Sequence, residues 1–317
     1  MHAHTFSHPT LIFTDPPCIA EARWPWCLIM GQLTLVDLDQ RPDLKEAVLN
    51  LLGAHRAGRH HVVCGLPSRM GQVPVANDLE ACMGSVVLLD GQQVAGVLAV
   101  CPYSDEQATL WGPIHTEAYS LDAVGRLLFA EARQALRDGG FESLRAIADQ
   151  RNRELRAFLL RQGLTAWKDS HCYERDLVRA PNPPPDVRLG TRSDHPTIGI
   201  ILGEGFPESQ HGQPSLTARE KEGYRHYVVI ADGTIAGAAA VQASGKRSWI
   251  KLIAVRASTR RNGLGRRLLN GVIAAEAALG QRDIGLEVLA DNPAAIATFE
   301  RAGFQKAWTA TILTGPV

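Results

Sequence analysis

Arg260, Gly263 and Gly265 are spaced R-x-x-G-x-G, with Arg261, Asn262 and Leu264 between them and Arg266 directly behind. Glycine lets a backbone approach a ligand without a Cβ in the way. A helix start adds unspent N–H groups and the positive end of the helix dipole. A turn of this kind entering a helix is suited to phosphate, and the arginines add charge-assisted hydrogen bonds. Two familiar nucleotide loops are excluded. No Gly-Lys-Ser/Thr closes the turn, and the third glycine of G-x-G-x-x-G is absent.

The flanks narrow the reading. A strand-like Trp249-Ile250-Lys251-Leu252-Ile253-Ala254-Val255 ends five residues before Arg260, and Leu286-Glu287-Val288 reads as a second strand. Then Asn292-Pro293-Ala294-Ala295-Ile296-Ala297-Thr298-Phe299, followed after three residues by Gly303-Phe304, fits N-x-x-A-(I/V)-x-x-(Y/F)-x-x-x-G-F. Loop and helix together resemble the GNAT N-acetyltransferase superfamily over roughly residues 187 to 310. The resemblance implies transfer of an acetyl group from acetyl-CoA, as cosubstrate and without a metal, to an amine of a small-molecule or amino-acid-like acceptor. It implies that the strand ending at Val255 splays from 284–289 and that the pantetheine arm pairs with the backbone of Ile253, Ala254 and Val255. An N–H there would stabilise the oxyanion. The N–H groups of Arg261 to Arg266 would wrap the pyrophosphate.

Asn292 is open to two readings: a pantetheine contact, or a helix N-cap before Pro293. Phe299 stands where many relatives carry a tyrosine that protonates the leaving thiolate, and phenylalanine has no proton to give. The strand 249–253 lacks the carboxylate that many relatives use as general base. Glu287 is the first candidate for that role, its alternative being a structural glutamate paired with a basic neighbour; Glu204, Glu208 and His211 remain as others. A non-catalytic acyl-CoA-binding or regulatory protein is the competing function.

These residues need elements to hold them. Strand-like runs at 33–36, 85–89, 94–100, 108–114 and 144–148 and helical runs at 123–137 and 154–162 precede Ala180-Pro181-Asn182-Pro183-Pro184-Pro185-Asp186, read as a semi-rigid linker. The order then recurs: a helix after Asp194, a loop over 204–222, a hairpin about Asp232-Gly233, the strand 248–255, the helix to Leu279, the strand 284–289 and the helix 293–302. Gly96 and Gly237, Leu127 and Leu268, and Phe158 and Phe299 are each 141 residues apart; Gly163 and Gly303 are 140 apart. This reads as a tandem duplication. The expected architecture is α/β: two tandem GNAT-like domains, each a mixed, mostly antiparallel twisted sheet flanked by helices. The segments are an arm over 1–30, a degenerate copy over 31–179, the linker at 180–186 and the acyl-CoA-binding copy over 187–317. An offset of 141 puts Tyr119, Asp122 and Val124 opposite Arg260, Gly263 and Gly265, which would abolish phosphate binding in the first copy.

With 33 basic and 33 acidic residues, the chain has no overall bias toward nucleic acid or membrane surfaces. Locally, Lys246, Arg247, Lys251, Arg256, Arg260, Arg261, Arg266 and Arg267 form an uninterrupted basic run, a field for the phosphates of CoA. The six cysteines form no C-x-x-C pair, which argues against zinc or a disulfide framework. His2, His4 and His8 read as incidental. No apolar run spans a bilayer, and residues 1–30 lack a signal peptide's pattern. The expectation is a cytoplasmic protein with reduced thiols and no nucleic-acid or membrane partner. A monomer is expected, because two copies in one chain can imitate a dimer.

Overall fold

A computed structural model describes residues 29–30, 33–58, 60, 79, 82–104, 106–207 and 211–317. The arm therefore lies almost wholly outside the described residues, as do Glu208, His2, His4 and His8 and most of the loop-like stretch Gly65–Glu80. The chain forms two compact units. Among the described residues, one is Asp169–Thr309; the other is those up to Lys168 together with Ala310–Val317.

In the N-terminal unit, β1 (Ile29–Met30), β2 (Leu33–Asp37), β3 (Gly84–Asp90), β4 (Gln93–Pro102) and β5 (Gln107–His115) are successive antiparallel neighbours. β6 (Ser143–Asp149) runs parallel to β5 and antiparallel to β13 (Gln305–Pro316). Helices α2 (Leu121–Asp138) and α3 (Arg153–Arg161) cover one face of this sheet, burying Val124, Leu128, Phe129, Leu155 and Phe158 against Leu98, Leu110 and Leu144. Helix α1 (Lys45–Gly58) covers the other with Val48 and Leu52 against Val97 and Trp111.

The C-terminal unit repeats the plan. β7 (Thr165–Asp176) contributes its residues from Asp169 onward, followed by β8 (Val187–Leu189), α4 (His195–Gly205) and α5 (Gln213–Lys221). Then come β9 (Tyr224–Ala231), β10 (Thr234–Ser244), β11 (Arg247–Val255), α6 (Leu264–Ala278), β12 (Asp283–Leu289) and α7 (Pro293–Arg301). β8, β9, β10 and β11 are antiparallel neighbours, β12 is parallel to β11, and β7 is antiparallel to β12. Helices α6 and α7 share a core with Tyr227, Val229, Ile250, Leu286 and Val288. Helix α4 packs on the opposite face with Val228, Ala238, Ala240 and Leu252. β10 has helices on both sides and is built from Ala236, Ala238, Ala239 and Ala240, all buried.

Three expectations are revised by this architecture. The proline run 181–185 joins β7 to β8, which are separated in the sheet order by β12, β11, β10 and β9, and it lies inside the C-terminal unit rather than between units. Extended prolines suit that distance: five strand spacings are about 24 Å. Second, the segment 204–222 holds helix α5, begun by Pro214 in its first turn. Third, Cys82 and Cys101 are disulfide-bonded, against the expectation of reduced thiols. They lie next to each other where β3 and β4 begin to pair, beside the Met83 N–H to Val100 C=O hydrogen bond. A spacing of 19 residues gives no sign of this in the sequence.

The repeat is real, with a different register. The hairpin of β4 is offset by 141, with Gly96 opposite His115 and Gly237 opposite Val255. From β5 onward the offset is 140: Gln107 and Arg247 open β5 and β11, Ser143 and Asp283 open β6 and β12, and Arg153 and Pro293 open α3 and α7. The buried positions of α2, Val124, Leu128, Phe129 and Ala132, match Leu264, Leu268, Leu269 and Val272 of α6. Ser120, Ala123 and Gly125 therefore correspond to Arg260, Gly263 and Gly265, rather than Tyr119, Asp122 and Val124. Likewise Thr298, not Phe299, matches Phe158.

Candidate functional site

β11 is paired with β10 along its length, but its pairing with β12 covers only Arg247↔Asp283 to Ile250↔Leu286. Beyond that point the two strands part. The register on the β10 side shifts between Ala240 and Val241, leaving Lys251 as an extra residue of β11. An extra residue bends and twists its strand, and the opening begins at that residue. Ile253, Ala254 and Val255 form one lip; Glu287 is the first residue of the other.

The lip at Val255 runs into the arginine-glycine turn, which folds back on it. Arg260 Nε donates to the Val255 carbonyl at 3.0 Å. Arg261 has φ 69 and Gly263 φ 75, both left-handed. Gly263 is the N-cap of α6 and gives no side-chain cap, and the first turn of the helix carries no acid. Its N–H groups therefore have no capping side chain to receive them. Arg261, Asn262, Gly263 and Arg266 are exposed, and Gly265 is half-buried beside buried Leu264. A Cβ on Gly265 would meet only Val255 Cγ2, at 3.7 Å.

Much of the basic run is committed to structure. Arg247 pairs with Glu174 at 2.8 Å and Asp283 at 3.0 Å, Arg267 pairs with Asp186 at 2.8 Å, and Arg256 donates to the Ile235 carbonyl. Lys251 is buried. The positive charge at the turn comes from Arg260, Arg261 and Arg266.

At Asn292 both readings are compatible. Oδ1 accepts the Ala295 N–H as N-cap of α7, while the buried Nδ2 has no hydrogen-bond partner among the described residues. Phe299 is buried against Phe304 in the core that also takes in Ile253, Val255 and Leu264. The structure thus brings Ile253, Val255, the loop and Phe299 together.

Glu287 is buried and paired in register with Cys172 of β7. Leu286 and Val288 face α6 and α7, so alternation turns Glu287 to the other face, the one α4 covers. Glu204 on α4 accepts the Ala257 N–H at 3.4 Å. His211 is buried with both ring nitrogens engaged, Nε2 with the Phe206 carbonyl at 2.9 Å and Nδ1 with Arg219 at 3.4 Å. Burial pushes its pKa down to about 4, so it is a neutral structural group.

The equivalent place in the N-terminal unit is built differently. Ser120 caps α2 by accepting the Ala123 N–H, and Asp122 is held by Arg161. A Cβ on Gly125 would lie 2.9 Å from Phe158 and 3.1 Å from Pro113, so side chains fill the space that Gly265 leaves open. An open depression of about 400 Å³ remains beside His115, Arg151 and Asn152.

Sequence reasoning missed β7 and β13, Glu276 and the cap at Ser120. Glu276 is wholly buried and takes hydrogen bonds from Arg225, Tyr227 and Ser248, fixing α6 to β9 and β11. A serine three residues before Ala123 was the available cap signal.

The sheet thus parts beside an uncapped, glycine-entered helix. Residues 196–304 match the model of the Acetyltransferase (GNAT) family. Among solved structures, the chain is similar to a GCN5-related N-acetyltransferase from Sphaerobacter thermophilus, at 16% identity and TM-score 0.75, covering 91% of this chain and 97% of that one. It is also similar to a tandem GNAT protein from the clavulanic acid biosynthesis pathway, at 19% identity and TM-score 0.67, over 90% and 98%. A putative acetyltransferase from Pyrococcus horikoshii gives 14% and 0.62, over 92% and 91%. No curated protein matches by sequence. No helix among the described residues is long and apolar enough to cross a membrane.

Proposed function

We propose that the C-terminal unit transfers an acetyl group from acetyl-CoA to an amine of a small-molecule or amino-acid-like acceptor, by direct attack in a ternary complex. The observation that carries this reading is the open wedge past Ile250↔Leu286, leading to a helix start with no cap of its own. The N–H groups from Arg261 to Arg266 would hold the pyrophosphate, with the Arg260, Arg261 and Arg266 guanidiniums neutralising it. The backbone of Ile253, Ala254 and Val255 would pair with the pantetheine, and Asn292 Nδ2 would donate to it. Phe299 would pack beside the thiol end.

In the reaction, the amine nitrogen attacks the thioester carbonyl and an N–H near Val255 stabilises the oxyanion. The C–S bond then breaks and the thiolate leaves. Glu287 is the proposed acceptor of the amine proton. Phe299 supplies no acid, so the ammonium proton or water protonates the thiolate; proximity and orientation supply most of the acceleration, on the order of 7–11 kcal/mol in favourable cases.

The N-terminal copy is proposed not to bind CoA, since Ser120 occupies the cap and Phe158 and Pro113 fill the slot. The protein is proposed to act as a monomer. A second reading, a non-catalytic acyl-CoA sensor, is favoured by Phe299. Calorimetry with CoA and a free-thiol assay over an amine panel separate the two. One CoA per chain with thiol release is expected. Tight CoA binding with no thiol release for any amine establishes the sensor, and two CoA per chain overturns the inactive first copy.

A further inference from the structure

His195 opens α4, Glu220 lies in α5 and His226 in β9, and in the folded unit one ligand-type atom from each lies within 4.8 Å of the others. His195 and His226 are essentially buried and Glu220 is partly so. His195 Nε2 is 3.0 Å from Glu220 Oε1, and the two imidazole rings meet edge to face at 5.6 Å. Neither ring nitrogen of His226 has a hydrogen-bond partner among the described residues, nor does His195 Nδ1. Buried polar atoms are normally satisfied. Two such histidines facing one carboxylate present a set of lone pairs that no described residue engages.

We propose that His195, Glu220 and His226 bind a divalent transition metal of the zinc type. Two imidazoles and a carboxylate are a recurrent zinc ligand set, with bonds of about 2.0–2.2 Å and ligand atoms therefore roughly 3.3 Å apart. The His195–Glu220 separation of 3.0 Å is already close to that edge, and all three ligand atoms lie within 4.8 Å of one another. The charges suit a cation: one carboxylate and two imidazoles. Two basic side chains stand near. Arg192 touches Glu220 Oε2 at 3.4 Å but is largely exposed and can turn to solvent, and Arg219 is directed at His211. A metal here would clamp α4, α5 and β9 together. Ligands spread over three elements make no short motif, so no pattern of residue types points to them.

Chelator-treated protein titrated with Co²⁺, which reports low coordination number by its visible absorption, tests the site. One equivalent per chain with saturable absorption, displaced by Zn²⁺, is expected, together with a Zn²⁺-dependent rise in Tm. In His226→Asn and in Glu220→Gln, affinity should fall by roughly 100-fold or more and the absorption should vanish. Glu220→Gln is the safer variant because its side chain is partly exposed, and circular dichroism checks that it is folded. No saturable binding tighter than about 10 µM, or unchanged binding in folded Glu220→Gln, overturns the proposal.

Discussion

At Gly265 a methyl group clears the protein, meeting only Val255 Cγ2 at 3.7 Å, whereas at Gly263 the backbone sits at φ 75. The two glycines should therefore respond differently to alanine. Gly265→Ala, inside a helix, is expected to stabilise by roughly 0.5–1 kcal/mol in urea denaturation, yet weaken CoA by about 10-fold or more in calorimetry, because the ligand's place is taken. Gly263→Ala should lose about 1 kcal/mol of stability as well as affinity. Spacing alone singles out both positions; that only Gly263 has a left-handed backbone does not follow from it, because φ is not written in the sequence. Titration adds a second residue-scale test. His211 and His226 both fall to about 4, chiefly through burial. Between that value and the unfolded 6.5 the unfolded chain binds more protons. Stability is therefore full above pH 6.5 and declines as pH drops toward 4, by up to ~1.4 kcal/mol per pH unit for each histidine. Urea midpoints of metal-free protein at pH 7, 5.5 and 4.5 check this; a flat profile contradicts it.

Helix α6 carries the loop's chemistry, and Glu276 anchors it. Breaking a buried charged network from one side is expected to cost about 3–5 kcal/mol, so Glu276→Ala should show that loss in chemical denaturation. Buried Leu136, which has no polar group to offer, occupies the matching place in α2. The elements carrying apolar periodicity and turn signals were readable: the hairpin at Asp232-Gly233, the strand to Val255 and the helix closed by Gly303. β7 and β13 were not. Thr165–Asp176 shows the broken burial pattern of a strand with few apolar side chains, and Gln305–Pro316 begins with three exposed residues. Helix α5 escaped because Gln-Pro-Ser-Leu-Thr-Ala-Arg-Glu-Lys buries only Leu216 and Arg219. The one-residue change of offset was hidden in a strand register, where the repeated glycines and leucines on either side look equally well aligned.

At the scale of the whole chain, each sheet is completed from the other copy's sequence. Ser170–Asp176 pairs with Leu289–Asp283 in the C-terminal unit, and Ala310–Pro316 pairs with Asp149–Ser143 in the N-terminal one. A fragment cut at residue 187 should therefore lack the β12 partner and expose Ile284, Leu286 and Val288 beside an unpaired edge. It is expected to aggregate, while a fragment beginning at residue 165 should be more soluble; light scattering of the two compares them. Deleting residues 310–317 should strip amide protection from β6 in hydrogen exchange, because Ala310, Ile312 and Leu313, all wholly buried, leave with the strand. Composition and motif could not reveal this arrangement, since the equivalent strands would serve equally well at home.

The borrowed strand also sets a clock on synthesis. β6 emerges from the ribosome long before Ala310, its partner across from Asp149, and everything from β8 to α7 is made in between. At ~5–20 residues per second that interval is many seconds, far longer than the microseconds in which a hairpin closes. Until then the edge of β6 is either open or held by the chain's own β7, and Ala310–Pro316 must then take that place.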